Sequence, residues 1–178
     1  MSTYMQNHAI VQELSRIRRN DPECTIYGLW NSILALQFPI VQGYVTRPQD
    51  EHTLLTGEKG FSDLHVFHYR GAATSANKFL IVQCKRYDYE GWPTVWTEGV
   101  DQLNDYLSAT HRRRGPARRT PVYGIVAIGR RMRVYKYSDQ LRSVQNWAPS
   151  GLQPGKPWHL KDDASQVQQI LDHILNNH

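Results

Sequence analysis

The spacing of the apolar residues switches from helical to strand-like and back twice along this chain, and that alternation points to a layered α/β architecture. Ile10, Val11, Leu14 and Ile17 recur at helical intervals, which predicts an amphipathic helix within 4–19. Asp21-Pro22 then reads as an N-cap followed by a proline in the first helical position. Ile26, Leu29, Trp30, Ile33 and Leu34 form the broad apolar face of a second helix that should stop before Pro39. From 40 to 46 the pattern is that of a strand, 47–60 reads as a polar connection, and 61–69 and 78–85 are further strands joined through the small residues of 71–77. After Gly91-Trp92-Pro93 a helix is predicted over 95–110, with Trp96, Val100, Leu103 and Leu107 on one face. Strands follow at 122–128 and 133–137, turned at Gly129-Arg130. The stretch 138–161 is rich in proline and glycine and reads as irregular; Asp162 caps a last helix carrying Val167, Ile170, Leu171, Ile174 and Leu175.

With 178 residues, 40% of them hydrophobic and 21% charged, the chain is long enough for one well-buried core and short for two. The expected division is a single domain over 1–178, with a core at about 10–137 and an extension at 138–178. A net charge of +5 and a pI of about 9.3 favour a polyanionic partner. Cys24 and Cys84 lack paired spacing, so neither a zinc knuckle nor a disulfide framework is supported, and a reducing interior compartment, cytoplasm or nucleus, is expected. No apolar run approaches the ~18 residues that a membrane span needs, so no membrane partner is expected.

The residues that carry chemistry sit at the end of two strands. Alternation puts Phe79, Ile81, Gln83 and Lys85 on one face of 78–85, and Phe61, Asp63, His65 and Phe67 on one face of 61–69. If the two pair as an antiparallel hairpin centred near residue 74, Asp63 falls opposite Lys85, at the same end of the sheet as Gln83. A carboxylate, an amide oxygen and an ammonium converging there suit metal-assisted phosphodiester hydrolysis. Asp63 would bind a hard cation, Mg²⁺ or Mn²⁺, with Gln83 and the backbone carbonyl of Cys84 as further oxygen ligands. Lys85 would orient or deprotonate the attacking water and offset charge in the transition state. The plain structural reading is an Asp63–Lys85 ion pair.

Asp63 followed by Val82-Gln83-Cys84-Lys85-Arg86-Tyr87 resembles the Mrr-type restriction endonuclease branch of the PD-(D/E)XK nuclease superfamily, in which glutamine often replaces the usual acid. Gln102-Leu103-Asn104-Asp105-Tyr106 is similar to the QxxxY motif of RecB-like nucleases, and 121–137 to the closing strands of related restriction subunits. The likeness spans roughly 10–137. It implies a restriction-endonuclease-like core, αβββαβ, with a mixed sheet flanked by helices and an extra helix at each end. It also implies a metal-dependent nuclease acting on nucleic acid, DNA rather than RNA. Relatives act as homodimers or inside larger multidomain chains, and both stay open here. Ser62 stands where the family favours proline, and Gln83 removes one negative charge, which should lower metal affinity. The alternative is a nuclease-fold domain that binds nucleic acid or protein without cleaving.

Some members add a helix acid. Glu13, on the border of the first helix's apolar stripe, is the candidate set against an exposed pairing with Arg16; Glu23 and Glu51 rank below it. Arg86, beside the lysine, is a candidate for a substrate phosphate. Gln102 and Tyr106 are four apart on the helix and point at the sheet edge, to support the site, to touch substrate or simply to pack. The run His111, Arg112, Arg113, Arg114, Arg118 and Arg119 suits phosphate contact, although such a run is commonly a solvated loop. His65 reads as a packing residue before a ligand, and Asp101 and Asp105 as a solvent face.

Overall fold

A strand buried at every position must be covered on both faces, and Tyr123–Ile128 is such a strand in the computed structural model, which describes residues 3–53, 59–71, 76–111, 115 and 119–178. This strand, β4, lies inside a mixed sheet of seven strands among the described residues. The others are β1 (Tyr44–Thr53), β2 (Lys59–His68), β3 (Asn77–Lys85), β5 (Arg131–Ser138), β6 (Ser143–Asn146) and β7 (Trp158–His159). The order is β1-β2-β3-β4-β5-β6, with β7 pairing β5. Only β3 and β4 run parallel; the other pairs are antiparallel.

Helices α1 (His8–Arg16), α2 (Glu23–Gln37) and α4 (Ala164–Asn176) contribute to the core on one face, with Leu80, Val82, Cys84, Ile125 and Ala127 beneath them. Helix α3 (Pro93–His111) covers the other, over Ile81, Val126, Ile128, Tyr135 and Tyr137. In β4, and in β3 from Leu80 on, alternate residues thus divide between two cores, as period-two geometry requires. Phe79, expected on the Ile81 face, packs instead with Leu80 against Phe38 and Tyr44, where β3 carries one extra residue against β2. The crossing of α3 over β4 is close because two glycines allow it. A Cβ on Gly124 would stand 2.4 Å from Leu103 Cδ2, and one on Gly99 2.7 Å from Val126 Cγ1. We expect Gly124→Ala to cost about 2 kcal/mol through overpacking, read as a fall in thermal midpoint of roughly 4–8 °C.

Several boundaries depart from expectation. Of the expected connection 47–60, the described residues 47–53 and 59–60 are strand. They hold most of β1 and the start of β2, and the stretch read as polar because β1 is an edge strand with little to bury, where Pro48 is tolerated. Residues 40–42 form a single 3-10 turn instead of strand. Pro22, not Asp21, caps α2, and the Asp21 carboxylate instead accepts from the Arg18 N–H at 2.6 Å. Asp163, not Asp162, is the cap position of α4; its carboxylate turns back to accept from the His159 N–H at 2.8 Å. The expected irregular stretch 138–161 supplies β6 and β7, so the extension builds onto the same sheet. It also ties down the N-terminus, where Gln168 accepts from the Tyr4 N–H at 2.9 Å. No helix among the described residues is long and apolar enough to cross a membrane.

The hairpin register also differs. Leu64 pairs with Val82 and Val66 with Leu80, with an irregularity between Val66 and Phe67. Carried one step on, this places Asp63 beside Gln83, two residues short of Lys85. A slip of two keeps Asp63, Gln83 and Lys85 on the expected face, so their convergence survives the error, while Phe79 at the irregularity does not keep its face.

Candidate functional site

Asp63 lies where β2 and β3 stop pairing, and its carboxylate continues the ladder. Oδ2 accepts from the Cys84 main-chain N–H at 2.6 Å and from Gln83 Nε2 at 2.9 Å. The Cys84 N–H lies in the plane of the sheet, so a carboxylate bonded to it is within reach of both helical layers. Glu23 and Tyr27 approach from α2, while Tyr106 of α3 feels the charge of Asp63 from the other side. A cavity of about 360 Å³ opens beside Asp63, lined also by Glu23, Cys24, Tyr27, Pro48 and Gln49. Gln49 falls opposite Asp63 by register but drops out of the β1–β2 ladder, with φ +48°. A non-glycine residue held in the left-handed region is strained, and such residues concentrate at working sites.

The electrostatics follow from burial. Burial pushes the Asp63 carboxyl up to about 6, the Cys84 N–H opposes that, Glu23 adds to it and Lys85 opposes it. Burial also raises the Tyr106 and Tyr27 hydroxyls, with Asp63's charge adding to both. Two acids facing each other at a cavity wall repel, and a divalent cation between them would relieve that repulsion.

Gln83 is the most telling residue. It is only 4% exposed, it donates to Asp63, and its Oε1 is buried with no hydrogen-bond partner among the described residues. Rotation of the amide end for end exchanges Nε2 for Oε1, since the group offers either face at equal size. Main-chain direction favours the Cys84 carbonyl as well. The N–H and C=O of one strand residue point to the same side; the Lys85 carbonyl accepts from Gly129 on the β4 side, and the Cys84 N–H addresses Asp63 on the β2 side. The candidate donors are therefore oxygens: Asp63 and Glu23 line the cavity, and Gln83 and Cys84 adjoin Asp63 on β3. That set fits Mg²⁺ or Mn²⁺ rather than a thiolate-seeking ion. Among the described residues no group of three His, Cys, Asp or Glu side chains is disposed to hold a metal, so the amide and the carbonyl are needed to complete a set.

No protein-family model, curated protein or solved structure matches the chain.

The structure brings together Asp63, Gln83, Cys84 and Lys85, with Tyr106 close by. Lys85 is partly exposed on the Gln83 face of β3. Gln102 lies on α3 with its Oε1 buried and unpartnered among the described residues. Glu13 is not in the site. It stands in an exposed pair with Arg16 at 3.5 Å, because α1 packs on α2 rather than at the sheet end. Glu23, ranked below Glu13, lines the Asp63 cavity instead, and the signal was present: Glu23 precedes Ile26 by three and Trp30 by seven, on the stripe that α2 buries. Arg86 is committed elsewhere, donating to the Asp21 carbonyl at 3.3 Å and pairing with Asp88 at 3.3 Å. It braces the turn into α2 and is not a free phosphate ligand. Arg112, Arg113 and Arg114, with Arg118, lie outside the described residues. His111 ends α3, buried near Tyr137, and Arg119 is exposed. His65 is buried and stacked against Phe67, in keeping with packing, and Asp101 and Asp105 face solvent.

Proposed function

We propose that this protein is a divalent-metal-dependent nuclease of the PD-(D/E)XK type, hydrolysing phosphodiester bonds of nucleic acid, with DNA favoured by resemblance alone. The single observation that carries the reading is the part-buried Asp63–Gln83 contact at the open end of the β2–β3 hairpin, with an orphaned amide oxygen beside it and Lys85 two residues on. The element order from α2 through β1, β2, β3 and α3 to β4, with β3 parallel to β4, supports a restriction-endonuclease-like αβββαβ core. Glu23 supplies the helix acid that some members carry.

Asp63, Glu23, the Gln83 amide oxygen and the Cys84 carbonyl would hold Mg²⁺ or Mn²⁺. When bound, the ion supplies Lewis-acid polarisation of the phosphate and a more acidic water. Lys85 orients or deprotonates the attacking water and offsets the charge that builds on the phosphate oxygens. Tyr106 and Gln102 back the site from α3. Purified protein should cleave plasmid or oligonucleotide DNA with Mg²⁺ or Mn²⁺ and not in EDTA. Lys85→Ala should lose about a hundredfold, within the range for a positioned proton-transfer group. Undiminished cleavage by Lys85→Ala and by an Asp63 variant would remove the assignment.

One observation favours a second reading, a nuclease fold kept for binding alone. The Gln83 amide already satisfies Asp63 without a metal. Salt-sensitive binding to nucleic acid with no metal-dependent cleavage would select it.

A further inference from the structure

The start of α2 and the segment that leads into it line two cavities. Glu23 and Cys24, the first residues of α2, face the Asp63 cavity, while Ile17, Arg18 and Arg19 before it line a second one of about 430 Å³ together with Tyr87, Asp88, Glu90 and Arg130. The second cavity is tied to the chemistry from the other side too. Tyr87 follows Lys85 by two residues, and Arg130 follows Gly129, whose N–H donates to the Lys85 carbonyl at 3.1 Å. Both cavities therefore belong to one end of the sheet.

The charge there is positive after internal pairing is allowed for. Asp88 accepts from Arg86 and from the Asn20 N–H, and Glu90 accepts from the Arg130 N–H and pairs with Arg131 at 3.7 Å. Asp21 is engaged with the Arg18 N–H. Arg18, Arg19 and Arg130 then line the cavity against one carboxylate without a cationic partner, that of Asp21, and the Arg18 guanidinium donates to the Ser15 and Ile17 carbonyls. Arg130 is held in place: Nη2 donates to the Ile17 carbonyl at 2.7 Å, and the guanidinium lies 5.2 Å from the Tyr87 ring. Its Nε is buried with no hydrogen-bond partner among the described residues. A buried donor left unsatisfied calls for a partner, and a positioned guanidinium fork matches phosphate geometry. Arg19, by contrast, is exposed and available.

We propose that the Arg18–Arg19–Arg130 cavity is a phosphate subsite, which binds a phosphate of the nucleic-acid strand alongside the bond presented to Asp63. The identity of the strand rests on the nuclease reading; the anion site itself does not. A backbone diester and a terminal monoester share this chemistry, and the test separates them.

The experiment is equilibrium binding of labelled oligonucleotides in EDTA across a salt series, with cleavage in Mg²⁺ measured in parallel. The proteins are wild type, Arg19→Glu, Arg18→Ala/Arg19→Ala and Asp63→Asn, with Arg130→Lys to remove the fork and keep the charge. Arg19→Glu should weaken binding about tenfold at low salt and lower the salt slope by about one, with an unchanged thermal midpoint because the residue is exposed. Asp63→Asn serves as the reference for loss of cleavage. Loss confined to 5′-phosphorylated strands marks a terminal phosphate, and equal loss on 5′-hydroxyl strands marks a backbone one; either supports the subsite. Affinity and slope unchanged in the arginine variants, or no binding by wild type, overturns it. Arginine-dependent binding without cleavage keeps the subsite and removes the nuclease reading. Asp63-dependent cleavage indifferent to the arginines does the reverse.

Discussion

Asp63→Asn should do two opposite things: sharply reduce metal-dependent cleavage and make the metal-free protein more stable at neutral pH. The catalytic loss follows from removing the acid that anchors the ion. Metal assistance contributes several kcal/mol to such reactions, and at about 1.4 kcal/mol per tenfold the rate should fall roughly a thousandfold. The stability gain follows from the raised carboxyl. Asp63 titrates at about 6 in the fold against an ordinary 3.8, so the folded state holds this proton more tightly than the unfolded chain. The stabilisation from that proton is complete below the ordinary value and is lost as pH rises through about 6. At about 1.4 kcal/mol per pH unit the gap amounts to about 3 kcal/mol. Asparagine offers the Cys84 N–H a neutral acceptor and removes the penalty. In EDTA the variant should therefore melt above wild type at pH 7.5 and together with it at pH 4. Added Mg²⁺ should raise the midpoint of wild type alone, because only a binding-competent fold gains from ligand. Equal midpoints at both pH values would mean that the carboxylate is not held in a desolvated site.

The same burial makes metal binding depend on pH. Below about 6 the ion must displace a proton from Asp63, so affinity should fall close to tenfold per pH unit. A cleavage rate at fixed, subsaturating Mg²⁺ should follow that titration.

How much of this was legible in the sequence depended on what kind of signal each residue gives. The apolar runs of β3 and β4 were plain, because a strand buried on both faces has no polar residue to blur it. Gln83 and Lys85 stood out against such a run for the same reason. The long edge strand β1 was illegible over Arg47 to Thr53, since an edge facing water selects polar residues and reads as loop. The face shared by Asp63 and Gln83 was correct although the register was two residues off; parity is robust where register depends on an irregularity such as that at Val66 and Phe67. Glu13 and Glu23 carried similar periodic signals. Which helix reaches the sheet end is a matter of tertiary packing, and α1 lies on α2. Arg86 misled because adjacency to Lys85 says nothing of its partners, and Asp88 two residues on is the stronger claim on its guanidinium.

Restoring the missing acid with Gln83→Glu should sharpen the site and weaken the fold that carries it. The glutamine is nearly inaccessible and gives a proton donor to a carboxylate 2.9 Å away. A glutamate there turns that attraction into repulsion, with Glu23 adding a third negative charge to the same wall. Like charges this close cannot all ionise, so one should keep its proton near neutral pH. An uncompensated buried charge costs about 3 kcal/mol, which for a chain of this size lowers the midpoint in EDTA by roughly 6–12 °C. A divalent ion reverses the balance. One added unit charge about 4 Å from a divalent ion is worth about 8 kcal/mol at an intermediate dielectric before desolvation is charged against it, enough to tighten binding roughly tenfold. The midpoint of Gln83→Glu should therefore recover in millimolar Mg²⁺ and gain more from the ion than wild type does. If the variant is as stable as wild type in EDTA and no more responsive to Mg²⁺, Gln83 does not face a cation, and the amide serves only to pin Asp63.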